Sequence, residues 1–413
     1  MARLPMSEPA RHDFWSRPRA PGVNRSTNGG ATWSVRVPGS EALAAKSVVV
    51  GADTTYVGAS SPAVFRSDDA GASFAQSADG ISELSLYSIA VDPRNPAHLA
   101  AAFQGNNNGG VFSSDDGGRS WTLEALSPTR YSKVGHAADG TLYAISSSPT
   151  SIAPEGLYRR DGKGAWTSLG PDQGPYFESD LDALLFSAND PGLILLGGDF
   201  GVAGWGSTVW RSTDAGQNWT KVFLGDDNDK VSDLEFASAD DDAEVVAVYD
   251  GFNDPQQGGA LRSDDSGASW SPALNGLPGY MRQPHLCRTT GVPAAVYLAA
   301  TGNAGNGAVF RSDDAGGTWN GTAWSGPSIA DIACDPLDGD VLYLAQFGAD
   351  RVVRSEDAGA SFAPYAQGLE GSGAPRELAT TMGQGETQLV LATASGSYAT
   401  LPDEEIFVDG FDG

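Results

Sequence analysis

An eight-residue segment, Ser312-Asp313-Asp314-Ala315-Gly316-Gly317-Thr318-Trp319, follows an apolar stretch, Ala308-Val309-Phe310-Arg311, and returns along the whole chain. Near-copies begin at Ser67, Ser114, Ser212, Ser263 and Ser355, each closing seven residues later on Trp or Phe. Ser26 to Trp33 is another copy, with Asn28 in the Asp position, and Arg159 to Trp166 is a worn one that keeps only Asp161 and the tryptophan. Eight copies at a spacing of roughly 41 to 53 residues require one structural unit repeated in series.

The spacing S-x-D-x-G-x-[ST]-[WF] suits a tight hairpin with its own wiring. A Ser hydroxyl, and an Asp carboxylate two residues on, accept backbone N–H bonds across a turn. The glycine two residues further takes a backbone angle that a side chain resists. The closing Trp or Phe starts the next strand and offers a large apolar face to the core. Ser67, Asp69 and Gly71, Ser114, Asp116 and Gly118, and Ser212, Asp214 and Gly216 are thus structural residues. So are Ser263, Asp265 and Gly267, Ser312, Asp314 and Gly316, and Ser355, Asp357 and Gly359. A catalytic device is not normally copied eight times at even spacing.

These residues resemble the Asp-box, or BNR repeat, of sialidases, sortilin-type receptors, two-propeller xyloglucanases and a photosystem assembly factor. The resemblance covers about residues 23 to 400. It implies an all-β chain forming a single β-propeller of four-stranded antiparallel blades. In that family the box joins the third and fourth strands of a blade, away from the binding face. The family mixes hydrolases with binding proteins, so the motif speaks to fold rather than to activity.

Between the boxes a four-strand order cycles. Its clearest specimen runs from Tyr87 to Leu126, and the same order appears at about 46–78, 131–169, 181–224, 231–274, 284–323 and 328–366. Short apolar runs such as Leu184-Leu185-Phe186 suit strands packed between neighbouring sheets. After the last box three strands remain, at 376–381, 388–393 and 396–401, with no box to follow. The amino-terminal segment has outer strands and a box but no inner pair. Pairing the two ends closes a ring and removes open sheet edges. Eight blades with one shared between the ends are therefore expected, with seven as the alternative. Residues 1–22 read as a disordered leader, 23–401 as the propeller and 402–413 as an acidic tail. That tail resembles short carboxy-terminal ends of some secreted proteins of Gram-negative bacteria.

The net charge of −27 and only five lysines argue against nucleic acid and anionic membranes as partners. No apolar run reaches the roughly 18 residues of a membrane span. Residues 1–22 lack the apolar stretch of a secretion signal, yet the first box has no inner strands before it. The start thus reads as displaced, and a secreted or periplasmic bacterial location is expected, with the chain a monomer. Cys287 and Cys334, the two cysteines, lie on inner strands of neighbouring repeats, one residue out of register. Either a disulfide across the blade gap or two buried thiols fits that placement.

Loops opposite the boxes differ sharply from blade to blade and are richest in the middle repeats. Tyr176, Asp180, Asp199, Trp205, Tyr249, Tyr280 and Arg282 are the ligand-binding candidates, since aromatics beside carboxylates suit a sugar site. Phe200, Trp205 and Tyr249 equally suit the filling of gaps between blades. Asp182, Asp233 and Asp331 are the weaker catalytic candidates; the last two enter inner strands at equivalent positions. Paired carboxylates run glycoside hydrolysis at roughly 5 to 9.5 Å separation, and they equally bind a cation or face water.

The resemblance implies three arginines, a Tyr–Glu pair and an Arg-Ile-Pro motif for a sialidase, and no Arg-Ile-Pro occurs. Arg66, Arg211, Arg262, Arg311 and Arg354 each precede a box serine, a blade-packing position. The four histidines show no metal spacing, and no nucleotide-binding loop or nucleophile elbow occurs, so neither metal nor cofactor is expected. A non-catalytic propeller binding a glycan or a protein on its loop face is the leading reading, and a glycoside hydrolase the competing one.

Overall fold

The computed structural model describes residues 22–26, 34–36 and 45–50, then 54–400 apart from 60–63, 70–72, 78–84, 105–109, 125–130, 147–155, 161, 163, 171–180, 201–205, 228, 252–257, 291–293, 303–304, 367–368, 370–373, 384–385 and 394–395. Every regular element among them is a β-strand. The leader at 1–21, the tail at 402–413, Gly71, Asp161 and residues 27–33 of the first box lie outside the described residues.

Seven four-stranded antiparallel sheets follow one another in chain order. We number these blades 1 to 7, with inner strands Ala45–Val50, Ser85–Asp92, Tyr131–His136, Leu181–Phe186, Asp229–Phe236, Arg282–Arg288 and Ile329–Cys334. Each inner strand packs against the inner strand of the next blade, as expected about a common axis. A five-stranded sheet from both chain ends stands between blade 7 and blade 1 and completes the ring. The fold is a β-propeller. Seven complete blades match the alternative count, and the end-to-end closure takes the form of the five-stranded sheet.

That closing sheet departs from a regular blade. Gly396–Thr400 is inserted between Glu386–Thr393 and the amino-terminal strand Gly22–Ser26, which runs parallel to it. Arg25 and Ser26 also pair directly with Glu386–Thr393, opposite Val390 and Leu389.

The core is divided into layers between blades. Along the second strand of blade 2, Leu99, Ala101 and Phe103 join a cluster with Tyr56 and Trp121, while Ala100 and Ala102 face Val134 and Leu142. This period of two is the strand's own geometry, and burial on both faces turns the pattern into a continuous apolar run. Leu142–Ser146 and Leu342–Gln346 are buried at every position for that reason.

The repeated hairpins join third and fourth strands and share one wiring. In Ser312–Trp319 the Ser312 hydroxyl donates to Asp314 Oδ1 at 2.8 Å and accepts the Gly316 N–H at 2.8 Å. Asp314 Oδ1 also accepts the Thr318 N–H, and Oδ2 the Thr318 hydroxyl, both at 2.8 Å. The hairpins at Ser114, Ser212, Ser263 and Ser355 repeat this pattern, with Asn218 replacing the hydroxyl in one. Gly316 has φ 86°, as its place in the motif requires, but Ala315 before it also lies in the left-handed region at φ 53°. Side chains bend the carboxyl pKa values to match. Burial raises Asp116, but bonds from Ser120, Ser114 and the Arg119 N–H overcome it and bring the carboxyl down to about 2.

Each hairpin also fastens two blades. Trp121 and Trp319 donate their indole N–H to the outer edge of the preceding blade, at Ser77 O and Ala273 O. Arg66 and Arg211 donate to hairpin carbonyls of the following blade, at Asp116 and Ser266, and Tyr56 and Tyr143 do likewise at Gly117 and Ala215. Arg66 and Arg211 therefore pack blades, while Arg262, Arg311 and Arg354 bond carboxylates of their own blade. The worn hairpin of blade 3 substitutes a side chain: Trp166 donates to Glu124, which also pairs with Arg160.

Candidate functional site

The hairpins occupy one end of the ring, so the loops joining second to third strands, together with the blade-to-blade connections, lie at the other. Inner strands begin at this loop face. Their first regular position carries Ser88 in blade 2, Asp233 in blade 5, His285 in blade 6 and Asp331 in blade 7, each just past a register shift.

Three of these side chains do one job. Val134 N–H reaches Ser88 Oγ at 3.3 Å, Leu286 N–H reaches Asp233 Oδ2 at 3.0 Å, and Leu378 N–H reaches Asp331 Oδ2 at 2.7 Å. In every case the donor lies on the inner strand of the next blade. An inner strand is a sheet edge, and an edge N–H buried without a partner costs about 1–3 kcal/mol. The preceding blade supplies that partner. The second oxygen of each aspartate accepts its own neighbour's N–H, from Leu234 at 2.9 Å and Ile332 at 2.8 Å. His285 Nδ1 stands 3.7 Å from Asp331 Oδ1. Burial pushes the Asp331 carboxyl upward, with His285 and the two N–H groups opposing.

Two residues further along the inner strands is a second inter-blade slot, filled differently at each seam. A Cβ on Gly135 of blade 3 would meet Phe186 of blade 4 at 2.6 Å. Glu235 of blade 5 accepts from Arg288 of blade 6 at 3.3 Å. Cys287 of blade 6 forms a disulfide with Cys334 of blade 7 across a Cα–Cα distance of 5.6 Å. The one-residue offset of the cysteines is the geometry of this slot, which Glu235 and Arg288 share. Burial pushes the Glu235 carboxyl up to about 7 although Arg288 faces it.

At the top of the seam between blades 5 and 6, Arg282 Nε lies 4.0 Å from Asp250 Oδ1, and the Gln283 N–H donates to Asp250 Oδ2 at 3.1 Å. Gln283 has φ 47°, a left-handed angle for a non-glycine residue. Tyr280 is half-buried two residues before Arg282. Tyr249 packs on the apolar cluster between blades 4 and 5, and a Cβ on Gly259 would stand 2.5 Å from its hydroxyl. The structure thus brings Arg282 to Asp250, while Tyr249 fills a gap between blades. Tyr176, Asp180 and Trp205 lie outside the described residues, as do the side chains of Asp182 and Asp199.

The Glu235–Arg288 pair and the latching role of Asp233 and Asp331 escaped the sequence reading. The signal was the register of the inner strands, where each latch stands directly before an apolar residue. Among the described residues no group of three or more His, Cys, Asp or Glu side chains is arranged to hold a metal ion. No helix there is long and apolar enough to cross a membrane.

No family model and no curated protein sequence matches the chain. Solved structures do match its fold. An ancestral GH74 enzyme is 16% identical over 91% of this chain and 55% of its own, with a TM-score of 0.53. The protein YCF48 bound to D1 peptide is 11% identical over 92% of this chain and 98% of its own, with a TM-score of 0.50. Hydrazine synthase of Kuenenia stuttgartiensis is 14% identical over 78% of this chain and 98% of its own, with a TM-score of 0.50. The chain spans 55% to 66% of the length of the GH74 enzymes it matches. These likenesses show a shared propeller fold.

Proposed function

We propose that this chain is a propeller of the Asp-box type that acts without catalysis and binds a glycan or a protein ligand on its loop face. The observation that carries the reading is the use made of Asp233 and Asp331. Each carboxylate accepts one backbone N–H on each of its two oxygens and latches one blade to the next, which gives both aspartates a structural use. A secreted or periplasmic location belongs to the same proposal. The Cys287–Cys334 disulfide supports it, because such bonds persist in oxidising compartments.

One observation favours glycoside hydrolysis as a second reading. The Glu235 carboxyl, near 7, has the value a general acid needs at neutral pH. Against it, Arg288 already occupies that carboxyl at a blade seam. Screening the purified protein on a glycan array and on a panel of aryl glycosides decides between them. Binding without turnover is expected. Turnover abolished by Asp182→Asn, Asp233→Asn or Glu235→Gln overturns the non-catalytic reading.

A further inference from the structure

Four large apolar side chains are exposed among the described residues: Leu123, Leu274, Leu337 and Phe347. Leu123 lies on an outer strand, Leu274 just past one, and Leu337 in a turn at the hairpin end. Of these four, Phe347 alone follows a second strand, Leu342–Gln346, and so sits on the loop face. Its ring is 44% exposed.

The backbone beneath that ring is heavily tied down. The Phe347 N–H donates to Ser328 O at 2.9 Å, and Arg351 donates to the Phe347 and Gly348 carbonyls at 3.0 Å each. The Gln346 side chain closes the loop, accepting from the Gly348 N–H and donating to Asp350 O. Ser328 in turn donates to Gly305 O in the second-to-third loop of blade 6, and Gly307 N–H bonds Gly326 O at 3.0 Å. Three loops from two blades are therefore laced into one sector, and the strand that leads into it, Val296–Thr301, ends opposite Arg282. The tied backbone fixes where the Phe347 side chain leaves the loop.

We propose that Phe347 is a stacking platform for a neutral glycan, an inference that rests on the binding role proposed above. A flat apolar ring on a tied backbone, with Asp350 exposed in the same loop, matches a pyranose, which has an apolar C–H face and a polar rim. Pre-organisation removes the ordering cost that weakens flexible sites. The net charge of −27 disfavours acidic sugars, so the class is neutral hexose or pentose polymers.

The test uses the intact chain on an array of neutral and acidic glycans, with affinities for the hits measured by calorimetry. Phe347→Ala is expected to weaken binding about tenfold or more, and Phe347→Trp to restore it to within about threefold of the parent. The unfolding midpoint should stay unchanged in both, because only the backbone of residue 347 takes part in the loop's bonds. Parent binding that is indifferent to Phe347→Ala overturns the platform and leaves the binding role intact. Hits confined to acidic glycans, or binding only to protein ligands, also overturn it. A parent protein that binds no glycan overturns the platform, and if it turns over aryl glycosides the non-catalytic role falls as well.

Discussion

The two ends of the ring are built on opposite plans. At the hairpin end, six blades repeat the same Ser–Asp wiring, with hydroxyl-to-carboxylate distances between 2.7 and 2.9 Å. At the loop end, Asp250 meets Gln283 at one seam, and Phe347 sits on a laced loop of blade 7 whose bonds differ from those described in the matching loop of blade 6. Repetition at one end means that every blade meets the same mechanical demand. The difference between the loops of blades 6 and 7 shows that no such shared demand sets the wiring there. The inner strands stand between: their positions repeat, but the chemistry in them changes from hydroxyl to carboxylate, ion pair or disulfide.

The contrast is broken most severely at the disulfide. Replacing Cys287 and Cys334 together by serine frees a loop of sequence separation 47. Loop entropy puts the loss at about 4 kcal/mol, read as a lower midpoint in chemical denaturation. Next in size is the latch. Asp233→Leu orphans the Leu234 and Leu286 N–H groups and should cost about 2–4 kcal/mol, whereas Asp233→Asn keeps one acceptor oxygen, orphans one N–H and should cost about half as much. Equal losses from the two variants would mean that the charge, not the acceptor, matters there. Asp314→Ala removes three bonds from one exposed hairpin and should cost about 1–2 kcal/mol in the same assay.

Acidity separates the same two kinds of site. The hairpin aspartates are held low, so their stabilisation is present above the ordinary carboxyl range and is lost as pH falls toward about 2, the value at Asp116. Glu235 behaves in reverse. Its folded-state value near 7 favours the protonated form, so its contribution is full in acid and disappears as pH rises from the ordinary range through 7. Glu235→Gln should therefore raise the unfolding midpoint at pH 8 relative to parent, with little difference at pH 5. The smallest effect is expected at Ala315: Ala315→Gly relieves a left-handed angle and should gain about 0.5 kcal/mol.

The hairpins, the strand order and the blade boundaries were legible in the sequence because local chemistry repeats there. A Ser, an Asp and a Gly at fixed offsets describe one turn wherever they occur. The packing role of Arg66 and Arg211 followed from the same regularity. The tyrosines that share it did not, since Tyr56 and Tyr143 are only two apolar-looking positions within buried second strands. Cys287 and Cys334 were visible as neighbours, but their bonding depended on a slot that only the register between blades defines. Asp233 and Asp331 looked alike as an acid pair and turn out alike as fasteners. That difference lies in edge N–H groups, which no side-chain pattern displays. Phe347 was hidden for another reason: one aromatic in a loop carries no sequence signal until its exposure and its tethers are seen.

The division of labour between the two ends is tested most directly by measuring glycan affinity and unfolding free energy together for Asp314→Ala and Phe347→Ala. The account predicts that Asp314→Ala lowers stability and keeps the parent affinity, while Phe347→Ala keeps stability and loses affinity. A folded Asp314→Ala protein that no longer binds would contradict it, because the hairpin end would then be part of the ligand site.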